Sequence, residues 1–243
     1  MLLVMKIEIL FEDDNYVVLN KPSGLVVHYD GKTEEPSLAD WVVSKYPETE
    51  NVGEALELSD GRLIKRPGIV HRLDRETSGV IVIARNDRAY GSLKRQFKKR
   101  KVQKTYRAFV YGRVKNDSGV IDRPIGRSKK FGIWSAGRSL RGKIREAVTE
   151  YRVLNRGTEA TLLELRPRTG RTHQIRVHLK AMNYPVVCDK AYSPKTKCIL
   201  GFERLALHAE KIEFNGLDGV KIEVKADCPP DFKEAQVRLQ SVA

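Results

Sequence analysis

Val80-Ile81-Val82-Ile83-Ala84 limits the fold more than any other stretch: five apolar residues in succession, four of them β-branched, with no polar side to offer water. A run this short reads as a buried central strand rather than a helix. Lys6 to Phe11, which alternates, and Tyr16-Val17-Val18-Leu19 read as earlier strands, separated by the turn-forming Asp13-Asp14-Asn15. Further strands are expected over Thr105–Tyr111, Val148–Leu154, Thr161–Leu165, Tyr184–Val187, and near 210–214 and 220–225.

Helices are fewer. Ser37 is placed to cap one running to Tyr46, with Leu38, Trp41, Val42 and Tyr46 at helical spacing. Asp87 is the expected cap of a second, reaching about Arg100, with Leu93 and Phe97 inward and cations in its last turns. Thr172 is the expected cap of a third, carrying Ile175, Leu179 and Met182 on one face. Lys21-Pro22-Ser23-Gly24 suits a tight turn, and residues 47–68 read as a long loop. Strands dominate, no repeat is visible, and 243 residues suffice for a sizeable core.

The apolar opening Met1–Met5 is interrupted by Lys6 and Glu8 long before the roughly 18 residues a membrane helix needs, so neither a membrane span nor export is expected. Cys188, Cys198 and Cys228 are an odd, scattered set, which argues against a disulfide framework and a zinc ribbon and for a reducing cytoplasm. The net charge of +14 is unevenly spread: residues 8–60 hold 13 acids against 3 bases, and residues 61–180 hold 32 bases against 9 acids. A field of that sign suits a polyanion, and a merely solvated basic surface is its rival.

Several chemistries lack their parts. Gly137-x4-Gly142-Lys143 has phosphate-loop spacing, but Ile144 stands where a hydroxyl should bind magnesium. Leu73 breaks any likeness of His71-Arg72-Leu73-Asp74 to a kinase catalytic loop. His173 and His178 lie five apart, off the one-face spacing of a zinc pair, and neither metal nor cofactor is expected. Two clusters remain: HRLDRETSG over His71–Gly79, and Gly170-Arg171-Thr172-His173-Gln174-Ile175-Arg176-Val177-His178-Leu179. On residues alone, Asp74 reads first as an aspartate bonding turn amides, and the second cluster as a helix with a basic face.

Together the clusters resemble the RluA-type pseudouridine synthase family. The likeness spans residues 6–228 and includes Asn20-Lys21-Pro22-Ser23-Gly24-Leu25, HRLDRETSG, Lys104-x-Tyr106, the Gly170–Leu179 cluster, Tyr184-Pro185 followed by Asp189, and Leu205-Ala206-Leu207-His208-Ala209. HRLD, TSG and GRTHQIR in that order are highly specific. The resemblance implies one α+β catalytic domain over residues 1–243, built on a large mixed, mainly antiparallel sheet. It also implies a cofactor-free isomerisation of uridine in RNA by a monomer, with large-subunit ribosomal RNA as the expected target and transfer RNA as the nearest alternative. Family members often carry an N-terminal S4 domain, which is not expected here.

By the same resemblance Asp74 is the nucleophile, Arg176 the arginine that pairs with it, and Tyr106 the tyrosine that stacks on the base. A neighbouring guanidinium favours the charged form of a carboxylate. Arg72 is the residue that enters the space left by the extruded uridine, and a flat cation can stack on bases and donate to phosphates. Lys104, Arg171, His173, Gln174 and Leu207 are expected to meet RNA. Residues 127–145 carry seven bases and no acid, with Phe131 and Trp134 interleaved; they read equally as a backbone-tracking element or a mobile surface loop. A non-catalytic RNA-binding protein on the same fold is the main rival, with a nuclease behind it.

Overall fold

The two most apolar runs find each other. β2 (Tyr16–Lys21) and β5 (Ser78–Ala84) pair antiparallel, setting Leu19 opposite Ile81 and Val17 opposite Ile83. Every residue of β5 is buried, and each fully buried Val or Ile side chain contributes about 1.5–3 kcal/mol. The computed structural model describes residues 6–29, 35–57, 61–128, 133–136 and 140–241. Met1–Met5, Phe131 and Gly137 lie outside them. Among the described residues the fold is mixed α and β, with nine strands in a large, mainly antiparallel sheet and four helices. The chain divides into two compact units, residues 1–103 with 209–226 and residues 104–208 with 227–243.

In the first unit β1 (Glu8–Glu12) edges β2, and β13 (Leu207–Asn215) lies next to β5 and pairs antiparallel with β14 (Lys221–Lys225). Ser37 caps α1 (Leu38–Lys45) through a capping box with Asp40. The cap of α2 (Asp87–Lys98) is Asn86, not Asp87: Asn86 has the extended backbone of a cap, and its side chain accepts from the Ala89 amide at 3.0 Å. Asp87 is already helical and accepts instead from the Gly53 amide at 3.0 Å. The expected loop 47–68 holds a short 3-10 turn, Pro47–Thr49, and a small ribbon of β3 (Leu56–Glu57) and β4 (Leu63–Ile64).

In the second unit β6 (Gln103–Tyr111), β12 (Ala160–Pro167), β11 (Val148–Arg156) and β7 (Ser118–Asp122) lie side by side in that order, all antiparallel. β8 (Ile125–Ser128), β9 (Trp134–Ser135) and β10 (Leu140–Arg145) form a separate three-stranded sheet with β8 in its middle. The basic segment is therefore built on paired strands. Tyr184–Val187 forms no strand; Val186 makes a single bridge to Val110. α3 spans Gln174–Ala181, and the residue before it is His173 in a left-handed conformation, so Thr172 is not its cap. The sequence reading missed α4 (Pro230–Ser241), although Phe232, Ala235 and Leu239 bury one face at helical spacing; Pro229 and Pro230 disguise its start.

Cys188 is bonded to Cys198, against the expectation of no disulfide, and Cys228 is not part of that bond. A left-handed Cys188 (φ 58°) turns the chain back so that the two Cα atoms come within 4.9 Å, which spacing alone did not reveal. Among the described residues no helix is long and apolar enough to cross a membrane.

Candidate functional site

Residues 71–77 lead into β5, and their side chains alternate. His71 turns inward, where its Nε2 accepts from the Val82 amide at 3.1 Å and its ring stacks on Phe97 at 4.8 Å. Leu73 is buried as well, whereas Arg72 is exposed, its Nη1 3.4 Å from His28 Nε2. Asp74 is half-buried at the head of a turn closed by the Thr77 amide on its carbonyl at 3.1 Å.

That turn is held from outside by Lys21-Pro22-Ser23-Gly24. The Gly24 amide donates to the Arg75 carbonyl at 2.9 Å, and Ser23 Oγ donates to the Glu76 carbonyl at 2.7 Å. Lys21 is completely buried, an exceptional place for an ammonium, and it donates to the carbonyls of Pro22, Leu25 and Arg75 at 2.8, 2.8 and 3.0 Å. A glycine is required just beyond, at Gly79. With φ at +112°, a Cβ there would sit 2.1 Å from the Ala209 carbonyl oxygen.

The second unit gathers most of the other predicted residues around the segment 169–176. Tyr106 is half-buried on β6 opposite Leu165, and Lys104 lies two residues earlier on the same face. The Lys104 amine reaches the Thr169 carbonyl at 3.4 Å, and burial pushes it down from the usual lysine range to about 8. Arg171 Nε donates to the Glu146 carbonyl at 3.0 Å. Gln174 faces inward: its oxygen accepts from Thr169 Oγ1 and the Arg171 amide, and its nitrogen donates to the Val148 carbonyl and Thr149 Oγ1. These four bonds fill its amide, so Gln174 fastens the loop instead of facing RNA. Leu207 is likewise inside the core, 3% exposed.

The helix is not the amphipathic rod with a solvated basic face that residues alone permitted. Gln174 through Leu179 are all buried, Arg176 and His178 included. His178 continues a buried polar string, with Thr149 Oγ1 and the Arg123 carbonyl each 2.9 Å from its ring nitrogens, and burial lowers its basicity. Arg176 donates Nε and Nη2 to the two oxygens of Asp189, both at 2.8 Å. Asp189 Oδ1 also accepts the Ala191 and Tyr192 amides, at 3.0 and 3.1 Å, which offsets the cost of burying the pair. The Arg176 guanidinium lies 5.0 Å from the centre of the Tyr192 ring.

Lys21, His71, Asp189 and Tyr192 were not singled out as functional by the sequence reading. A lysine ending an apolar strand before Pro22 was a visible signal for the first. Asp189-x-x-Tyr192 closely following a buried arginine is a weaker one for the last two.

A family model described as RNA pseudouridylate synthase matches residues 15–181. The chain belongs to that family. This RNA pseudouridine synthase is 36% identical over 231 residues to RNA pseudouridine synthase YlyB of Bacillus subtilis, with 95% of this chain and 72% of that protein covered. It is 35% identical over 238 residues to the ribosomal large subunit pseudouridine synthase D of Zymomonas mobilis, covering 93% of this chain and 71% of that one. Human RNA pseudouridylate synthase domain containing 4 superimposes with a TM-score of 0.74 at 28% identity, over 96% of this chain and 92% of that one. The pseudouridine synthase is thus an isomerase acting on uridine in RNA, and the resemblance read from HRLD and GRTHQIR names the right family.

Proposed function

We propose that this pseudouridine synthase modifies large-subunit ribosomal RNA in the cytoplasm, with Asp74 as nucleophile on a uridine turned out of the RNA. The N1–C1′ bond breaks, a C5–C1′ bond replaces it, C5 gives up its proton and N1 gains one. Tyr106 stacks on the detached uracil and takes the C5 proton, and Arg176 is the guanidinium that serves the nucleophile. Arg72 fills the place the base leaves, at a cost in unstacking of a few kcal/mol to the RNA. Lys104, Arg171 and the exposed cations of β8 and β10 meet phosphates.

The anchoring of the Asp74 turn carries this reading. A nucleophile must be held in place by its surroundings, and Lys21, Ser23 and Gly24 grip the turn by its backbone carbonyls. The ribosomal target is supported by relatives named ribosomal large subunit pseudouridine synthase D. The test uses total RNA from cells lacking the protein, labelled with tritium at uridine C5. Wild type should release tritium and Asp74→Asn should not; equal release from both would remove Asp74 from the chemistry. Mapping pseudouridine with and without the protein should reveal large-subunit positions, and changes confined to transfer RNA would replace the target.

A further inference from the structure

The structure assigns Tyr192 as a positioning residue that ties the basic three-stranded sheet to the arginine of α3. This assignment rests on the roles proposed above for Arg176 and for the cations of that sheet. Tyr192 is 7% exposed, and each part of it has a different neighbour. Its backbone amide is fixed by Asp189 Oδ1 at 3.1 Å, the same oxygen that receives Arg176 Nη2. The face of its ring carries the Arg176 guanidinium. Its hydroxyl accepts from the Trp134 amide of β9 at 3.3 Å and lies 2.9 Å from Nδ1 of His173, the residue that opens α3.

A hydroxyl has one proton to give and two lone pairs to receive with. The β9 amide takes one lone pair and His173 Nδ1 lies within hydrogen-bond reach of the same hydroxyl, so one oxygen links sheet and helix. Apolar contact repeats the link: Ile125 of β8, Ala147, Val177 of α3 and Tyr192 form one buried cluster, with Trp134 packed against it. Arg127, Arg141, Lys143 and Arg145 stand exposed on β8 and β10, and the Arg127 guanidinium lies over Trp134 at 5.8 Å. A shift of β9 under bound RNA therefore reaches Tyr192 through the hydroxyl that receives the Trp134 amide. Tyr192 meets Arg176 through ring and Asp189 alike. Arginine donates through a rigid fork, so a small change in its plane redirects every N–H it carries.

The two functions of the side chain separate by substitution. Tyr192→Phe keeps the ring under Arg176 and deletes the junction with β9 and His173. Tyr192→Leu also removes the ring. Tritium release from C5-labelled total RNA of cells lacking the protein is measured at limiting and saturating RNA, with Tm recorded for each variant. Tyr192→Phe should raise the half-saturating RNA concentration about fivefold, the scale of one hydrogen bond, with the saturated rate within about twofold of wild type. Tyr192→Leu should lower the saturated rate at least about tenfold, because an unsupported guanidinium is misplaced. The assignment is overturned if Tyr192→Phe changes neither quantity, or if folded Tyr192→Leu retains the saturated rate. Should Tyr192→Leu not fold, the isosteric Tyr192→Phe decides alone. Arg176→Ala, assayed beside them, keeps the readings apart: loss of rate there with full rate in Tyr192→Leu rejects Tyr192 only. Full rate in Arg176→Ala rejects the role of the arginine itself, and the positioning role with it.

Discussion

The turn at 71–77 and the helix start at 169–176 look alike in sequence, each a dense run of polar residues, yet the fold treats them in opposite ways. In the first, neighbouring groups grip the backbone: Lys21 and Ser23 hold carbonyls, and His71 receives an amide. In the second, the charged side chain is itself gripped, with Arg176 locked to Asp189 and laid over Tyr192. On the reading proposed above, the Asp74 carboxylate is carried by a turn whose backbone is held in place, whereas a guanidinium tolerates burial as long as it is paired.

The contrast breaks most easily at its two aspartates. Asp74→Asn should reduce tritium release by at least about a thousandfold while leaving the midpoint of urea unfolding where it was, as expected of a group used in chemistry. A variant destabilised as much as it is inactivated would mean that the turn depends on that carboxylate after all. Asp189→Asn should do the reverse first, costing about 3 kcal/mol in unfolding free energy, because it takes the bidentate carboxylate from a buried guanidinium. Unchanged stability there would mean that Arg176 is not held as described.

Lys21→Met comes next, at about 2 kcal/mol from carbonyls left without a donor in a dry place. It should also slow the reaction through the loosened turn, and a variant with wild-type unfolding and rate would remove the anchor from the account. Arg72→Ala sharpens the comparison on its exposed side: turnover on base-paired targets should drop about tenfold and on unstructured oligonucleotides much less, reflecting the unstacking that the side chain offsets. Equal penalties on both substrates would reject its part in extrusion.

The smallest effect is a pH dependence. Burial depresses the Lys104 amine to about 8, below the ordinary lysine value, so the folded protein sheds this proton before the unfolded chain does. Its desolvation cost therefore weighs on the fold below pH 8 and is relieved as pH rises from there through the unfolded lysine range, so stability from this group increases with pH. If Lys104 meets phosphate as proposed, RNA binding should move the other way, weakening a few-fold between pH 7 and 9 as the amine is neutralised. Titrating wild type beside Lys104→Met should show both trends only in wild type; parallel curves would show that the amine keeps an ordinary charge.

Much of the fold was legible because apolar runs leave few choices. Val80–Ala84 and Tyr16–Leu19 had to be buried strands, and Ser37 with Asp40 announced a helix start. What escaped depended on tertiary partners. Asn86 and Asp87 are both good caps, and only the extended backbone of Asn86 chooses between them. The left-handed His173, the turn that joins Cys188 to Cys198, and the inward aim of Gln174 leave no periodic trace. Asp74 and Arg176 stood out through motif order, but Asp189 and Tyr192 acquire meaning only once the chain has brought them to the arginine.

The contact at Gly79 bears on how such a protein can change. A single hydrogen in place of a methyl separates the strand behind the Asp74 turn from a neighbouring carbonyl, so a library randomised at this position should return one residue and no graded series. Selection for new substrates has no gradual route through the hinge of the turn, and variation must enter from its solvent-facing letters, Arg72 and Glu76, or from the other half of the chain.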